Sequence, residues 1–181
     1  MSELYTYDDD TDFDDVFGDL NLTMLHSDEK HHVFVYGTLM SGMRNNHRMM
    51  SLDAKLIAST ATLEGDYAMR PRRTGLNYLA PIVYSNAPGE PQGKIRGEVY
   101  EVDSESLMTL DLFEGHPDVY RREQHAVMYA TERHFTVKNA WVYIFVDTEY
   151  CDTKLHNNDY LSVSRNRGSS FVVYQWRGEK V

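Results

Sequence analysis

Several things this chain has little of narrow its reading at once. Cys151 is its single cysteine, so no disulfide forms within the chain, and that usage suits the reducing cytoplasm. No apolar run approaches the ~20 residues that a membrane-spanning helix needs. The first residues have neither the basic start nor the unbroken apolar core of a signal peptide, so we expect no membrane attachment. Positive charge is also short: 18 Lys and Arg stand against 28 Asp and Glu, for a formal net charge of −10. That is not the basic surface of a nucleic-acid binder. The eight histidines are scattered. His31-His32 precede the first strand-like run, and His116, His125 and His134 lack the i, i+4 pairing of metal ligands. We expect no metal and no cofactor.

The acidity is unevenly placed. Residues 1–30 hold ten acidic residues and one base, Lys30, a net of −9, whereas the rest holds 18 acidic and 17 basic residues, a net of −1. Asp8-Asp9-Asp10, Asp12, Asp14-Asp15 and Asp19 read as an acidic, low-complexity and mobile arm. Asp8, Asp10 and Asp12 hint at a calcium loop, but Phe13 stands where that loop needs glycine and Asp19 where it needs glutamate. Phe13, Val16, Phe17, Leu20, Leu22 and Leu25 interleave with the acids, a pattern that could dock on the body or on a protein partner. The remainder, residues 31–181, has the length and the apolar content of one compact domain.

Within that domain the run His32-Val33-Phe34-Val35-Tyr36-Gly37-Thr38-Leu39 is the first to suggest a site. Val33, Phe34 and Val35 suit a buried strand. The strand breaks at Gly37, a residue free to adopt angles that line up successive N–H groups on one side for a carboxylate or an oxyanion. The plain alternative is that Gly37 merely marks a turn.

A second segment adds a titratable group. Gly97 to Val102 alternates as a strand. Asp103 and Ser104 are helix N-caps, and Leu107, Leu110 and Glu114 follow at helical spacing. Gly115 ends the helix and Pro117 prevents its continuation. Glu114 thus shares the face that this helix buries, where it is either a rim residue, half of an ion pair with Arg121 or Arg122, or a tuned acid/base. Desolvation and the helix C-terminus both raise a carboxyl pKa, and a Glu so raised can take up a proton near neutral pH and return it.

These residues together resemble the γ-glutamylcyclotransferase superfamily, nearest to its γ-glutamylamine cyclotransferase branch. Val33-Phe34-Val35-Tyr36-Gly37-Thr38-Leu39, then Gly42 and Asn46-His47, look like the family's opening. Gly97-Glu98-Val99-Tyr100, Leu110-Asp111-Leu112-Phe113-Glu114-Gly115, Tyr120-Arg121-Arg122 and Ala140-Trp141-Val142-Tyr143 follow in its order and spacing, over residues 32–146. The resemblance implies an enzyme in which a γ-glutamyl substrate's own α-amine attacks its γ-carbonyl, giving 5-oxoproline and a free amine or amino acid. Such a reaction needs no serine, cysteine or metal, only a folded-back substrate and a base. It implies Glu114 as that base, Tyr36, Gly37, Thr38 and Leu39 as the substrate cradle, and Tyr120 and Tyr143 as further substrate contacts. It also implies a small mixed, curled sheet or barrel with flanking helices, an α+β fold.

The strand pattern alone places strands near 33–37, 97–102, 124–129, 139–146 and 171–176, with helices near 43–51 and 104–114. Two parts depart from the family. The stretch Met69-Arg70-Pro71-Arg72-Arg73-Thr74-Gly75 is unexpectedly basic and reads as a solvated loop, or else as a face toward an anionic leaving group. After Val146 comes a polar stretch, 147–170, and then the apolar Phe171-Val172-Val173-Tyr174-Gln175-Trp176, readable as a lid, an extra strand or an interface. A catalytically idle module that sequesters a small molecule in the same pocket stays open beside the enzyme, because a fold does not fix a function.

Overall fold

The computed structural model of the chain describes residues 29–74, 78–85, 93–131, 134–147, 161–165 and 172–178. The acidic segment up to residue 28, Cys151 and most of 147–171 lie outside the described residues. Eight strands and two helices follow in the order β1 (Lys30–Val35), α1 (Asn46–Ser51), β2 (Lys55–Arg73), β3 (Leu79–Ser85), β4 (Gly93–Asp103), α2 (Ser104–Glu114), β5 (Tyr120–Ala130), β6 (Phe135–Phe145), β7 (Leu161–Arg165) and β8 (Val172–Trp176).

The strands form one mixed sheet in the order β3-β2-β5-β6-β1-β4-β8-β7, and a further pairing of β2 with β4 closes β2, β5, β6, β1 and β4 into a five-stranded barrel. β1 runs parallel to β6 and β4 parallel to β8, and the other pairs are antiparallel. β1 is buried at Val33, Phe34 and Val35 in succession, as a strand enclosed on both faces should be. Closure depends on β2. Its first part pairs with β4, residues Ala61–Leu63 pair with both β4 and β5, and Tyr67–Arg73 pair with β3. The register against β4 slips at three points between Leu56 and Tyr67, and such irregularities bend a strand enough to leave one neighbour for another.

This corrects the reading of Met69–Arg73 as a solvated loop. The segment is strand, with Met69 fully buried. Pro71 and Pro81, which look like strand breakers, stand opposite each other across the β2–β3 ladder. β3 is an edge strand, where a missing N–H is tolerated. The tail is also sheet: β8 adds to β4, burying Tyr174 and Trp176 almost completely, and β7 lies outside it. It is therefore an extension of the sheet, and part of the stretch read as polar loop is strand β7.

Helix α2 follows its capping signals. Asp103 accepts a hydrogen bond from the Ser106 N–H at 2.8 Å, opening α2. Gly115 closes it in the left-handed conformation, φ 67° and ψ 38°, which glycine adopts without a Cβ penalty. Leu107 and Leu110 are buried against the barrel. The helix expected from residue 43 begins only at Asn46, because residues 37–45 form a stapled turn.

Candidate active site

Where β1 leaves the barrel, its chain is pinned from two sides. The Met40 N–H donates to the Gly37 carbonyl at 3.1 Å and the Asn45 N–H to the Thr38 carbonyl at 2.9 Å. The Asn45 side chain donates to Thr38 Oγ1 at 3.0 Å, and Asn46 Nδ2 donates to the Leu39 carbonyl at 2.9 Å. From β4, one oxygen of Glu98 accepts from the Ser41 N–H at 2.8 Å, the Ser41 hydroxyl at 3.1 Å and the Tyr100 hydroxyl at 3.0 Å. Among the described residues no acceptor engages the N–H groups of Thr38 and Leu39.

Gly37 is required here for space. It is not among the positive-φ glycines, so the expected special backbone angle is absent. A Cβ at Gly37 would instead overlap the ring of Pro81 on β3. Pro81 carries no signal of this in the sequence, whose patterning marks no strand over Leu79–Ser85.

Glu114 is the last residue of α2, on the same face as Leu107 and Leu110. Burial raises its carboxyl to about 7, against an opposing pull from the Arg48 guanidinium. Arg48, from α1, stacks on the neighbouring Phe113 ring at 4.1 Å. No hydrogen-bond donor among the described residues reaches the Glu114 carboxylate. The ion pair that was an alternative for it belongs elsewhere: Arg122 binds Asp111 at 2.8 Å, one turn back on α2. Arg122 also stacks on Trp141 at 4.7 Å.

The three tyrosines are fixed by different partners. The Tyr36 hydroxyl donates to the Tyr143 carbonyl at 2.5 Å and accepts from the Val83 backbone, and burial holds its pKa well above the usual value. Tyr143 donates its phenolic proton to Asp111 Oδ1 at 2.8 Å. Tyr120 accepts from Arg72 and faces the Pro81 carbonyl at 3.4 Å. Burial raises both of these phenols, with the nearby Glu114 adding to the effect; all three stay protonated at any physiological pH.

Glu114, Tyr36, Gly37, Thr38, Leu39, Tyr120 and Tyr143 all line one cavity, with about 390 Å³ of empty space including its open mouth. Phe34, Val35, Ala80 and Pro81 complete its wall. The seven residues singled out from the sequence thus converge from the loop that follows β1, from α2, β5 and β6. The reading missed the supports: Asn45, Asp111, Arg48, Arg72 and Pro81. Asp111 lay in plain view three positions before Glu114, but its partners come from β5 and β6 and leave no local signal. Among the described residues no group of three or more His, Cys, Asp or Glu side chains is placed to hold a metal ion. No described helix is long and apolar enough to cross a membrane.

Residues 33–162 match the family model described as "Gamma-glutamyl cyclotransferase, AIG2-like". A protein of Methanocaldococcus jannaschii, named provisionally as a gamma-glutamylcyclotransferase, is 35% identical over 129 residues, covering 71% of this chain and 94% of that one. The gamma-glutamylaminecyclotransferase of Bos taurus is 38% identical over 98 residues, 50% of this chain and 52% of that one. In three dimensions, an AIG2-like protein of Mus musculus matches with a TM-score of 0.53 at 26% identity, over 67% of this chain and 80% of that one. The matched region contains β1 with its loop, α2, and both tyrosine-bearing strands, so sequence, fold and cavity agree: the chain belongs to the AIG2-like γ-glutamylcyclotransferase family of enzymes.

Proposed function

We propose that this enzyme cyclises a γ-glutamyl amide, releasing 5-oxoproline and a free amine or amino acid, with Glu114 moving the protons. The observation that carries the proposal is a carboxylate raised to about 7 that no donor among the described residues reaches, in the same cavity as a loop whose Thr38 and Leu39 N–H groups meet no acceptor among those residues. A group half ionised near neutral pH both accepts and returns protons efficiently.

In the proposed reaction the substrate's α-nitrogen attacks the γ-carbonyl carbon. A carbon–nitrogen bond closes the five-membered lactam, and the bond to the leaving amine breaks. Two protons leave the α-nitrogen, the first from its ammonium form and the second as the lactam forms. Two protons reach the leaving nitrogen, which departs as an ammonium. Glu114 carries them one at a time, so no proton is left over. The N–H groups of Thr38 and Leu39 stabilise the oxyanion on the γ-carbonyl as it develops. With its own proton on Asp111, the Tyr143 oxygen has a lone pair for the substrate ammonium. Tyr36, spent on protein partners, shapes the wall, and Tyr120 closes the cavity beside Glu114. Holding the glutamyl chain folded back supplies the rest of the acceleration, because the nucleophile and the carbonyl belong to one molecule.

The single cysteine is compatible with a cytoplasmic setting, and a protein partner, if the chain has one, would meet the acidic segment before residue 29. The test of the reaction is release of 5-oxoproline from a panel of γ-glutamyl amines and dipeptides. A panel that is bound but never turned over would instead identify an idle sequestering module.

A further inference from the structure

Glu114 also lines a second cavity. It holds about 600 Å³ of empty space including its opening, and Thr38, Ala80, Glu114 and Tyr120 line both cavities. The two cavities share these four walls, so a substrate held in the first has the second beside it. Its distinctive walls are Arg72, Thr74, Tyr78 and Phe113.

The chemistry of these walls is one-sided. Glu114 is the one carboxylate among the lining residues described. Arg72 lines the cavity directly, with its guanidinium bonded to the Tyr120 hydroxyl and set over the Phe145 ring at 5.1 Å. Arg44 lies over Tyr78 at 4.4 Å and Arg48 over Phe113 at 4.1 Å, so two of the aromatic walls are backed by further cations. The Thr74 hydroxyl is shielded from solvent and has no hydrogen-bond partner among the described residues. One guanidinium in the wall, with two more stacked on its aromatic rings, favours an anion there, and the planar fork of Arg72 N–H donors matches a carboxylate.

We propose that this second cavity is the leaving-group subsite and that Arg72, aided by the Thr74 hydroxyl, selects leaving amines that carry a carboxylate. The preferred substrates are then γ-glutamyl amino acids or peptides, and γ-glutamyl derivatives of simple alkylamines or polyamines are poor ones. This rests on the cyclotransferase reading above. It also gives a use to the basic stretch around Arg72, which the family resemblance leaves unexplained.

The test uses the full-length protein and three substrates, γ-glutamyl-alanine, γ-glutamyl-ethylamide and γ-glutamyl-putrescine, with 5-oxoproline as the readout. Ethylamine is alanine without its carboxylate, so the first pair isolates that group. The expected order of kcat/KM is alanine, then ethylamide, then putrescine, with at least tenfold between the first two. Arg72→Gln should collapse that ratio to threefold or less, and Arg72→Lys should restore part of it. A wild-type ratio near one, or a preference for putrescine, overturns the subsite without needing any variant to fold. Equal losses on alanine and ethylamide in Arg72→Gln would also overturn it, by placing Arg72 on the glutamyl head. No 5-oxoproline from any of the three would sink the cyclotransferase reading itself, and the subsite with it.

Discussion

Glu98 binds the loop that follows β1 and Glu114 shares a cavity with it, and the fold treats the two in opposite ways. Glu98 is buried and spends one carboxylate oxygen on three donors, two from Ser41 and one from Tyr100. Glu114 sits at the end of a helix with no donor from the described residues on its carboxylate, and burial lifts its pKa to about 7. A carboxylate surrounded by donors is compensated for leaving water and serves as a fastener. One that lacks them is held closer to its neutral form and is ready to exchange a proton. The difference teaches that burial alone does not mark a reactive acid. The hydrogen bonds withheld from it do.

The most severe way to test that contrast is Glu114→Gln. Turnover should fall by about a hundredfold to ten-thousandfold, the usual worth of a positioned acid/base, while circular dichroism and ligand binding are retained. In the wild type, kcat/KM should rise with pH through a midpoint near 7, because the base must be ionised to accept the ammonium proton. A midpoint at or below the ordinary 4.5 would remove Glu114 from the mechanism. Stability should move the other way. The folded state holds this proton more tightly than the unfolded chain does, so wild-type stability falls as pH rises from about 4.5 through 7,. The Gln variant escapes that loss. Its melting temperature should exceed the wild type's above pH 7, and the gain should vanish toward pH 4.5.

Glu98→Ala should do the reverse and destabilise at every pH. It removes the acceptor shared by the Ser41 N–H, the Ser41 hydroxyl and the Tyr100 hydroxyl. Ser41 is exposed and its hydroxyl still meets that of Tyr100, so the loss is that of hydrogen bonds to a carboxylate, about 1–3 kcal/mol in all. A lower melting temperature should come with a raised KM, because the same loop carries Thr38 and Leu39 into the cavity. Unchanged melting and unchanged KM together would show that Glu98 fastens nothing.

Arg48 sharpens the comparison on the Glu114 side. Its charge is the one influence that pulls the Glu114 pKa down against burial. Arg48→Gln should therefore move the acidic limb of the pH–rate profile to higher pH, leaving the plateau rate less affected. Arg48→Lys keeps the charge and should leave the limb near its wild-type position. A limb that stays put in the Gln variant would mean that the loss of Arg48 is felt only through its packing on Phe113.

The contrast also explains what could be read from the sequence. Glu114 was legible because every cue to it is local: the Asp103 cap, the Leu107–Leu110 spacing and the Gly115 stop lie within thirteen residues of one another. The loop after β1 was legible for the same reason, though the cause assigned to Gly37 was not the operative one. Its constraint is the Pro81 ring, supplied by a strand that sequence patterning missed. β2 and β3 escaped because bulges break the period-two alternation and because Pro71, Pro81 and the arginines mimic a loop. The fastening of Glu98, the pairing of Arg122 with Asp111 and the sharing of Glu114 between two cavities depend on residues far apart in the chain. No periodicity encodes such meetings.

The smallest effect is expected from the part of the chain farthest in character from the site. Residues 1–28 hold nine acidic and no basic residues, precede the matched family region, and have the composition of a solvated arm. Removing them takes the formal charge from −10 to −1, which should act on solubility and on the choice of partners. The cut belongs before Glu29, because Lys30 already pairs with Asp103 in the β1–β4 ladder. With the barrel, the loop and Glu114 intact, kcat/KM on a small γ-glutamyl substrate should stay within a few-fold, on the order of 1 kcal/mol or less in barrier. The competing idea is that Phe13, Phe17 and Leu20 close over the cavity mouth. That idea predicts a loss of a hundredfold or more in a truncated protein whose melting transition is unchanged. It also predicts that adding the detached segment as a peptide restores the rate, whereas a dispensable arm leaves nothing to restore.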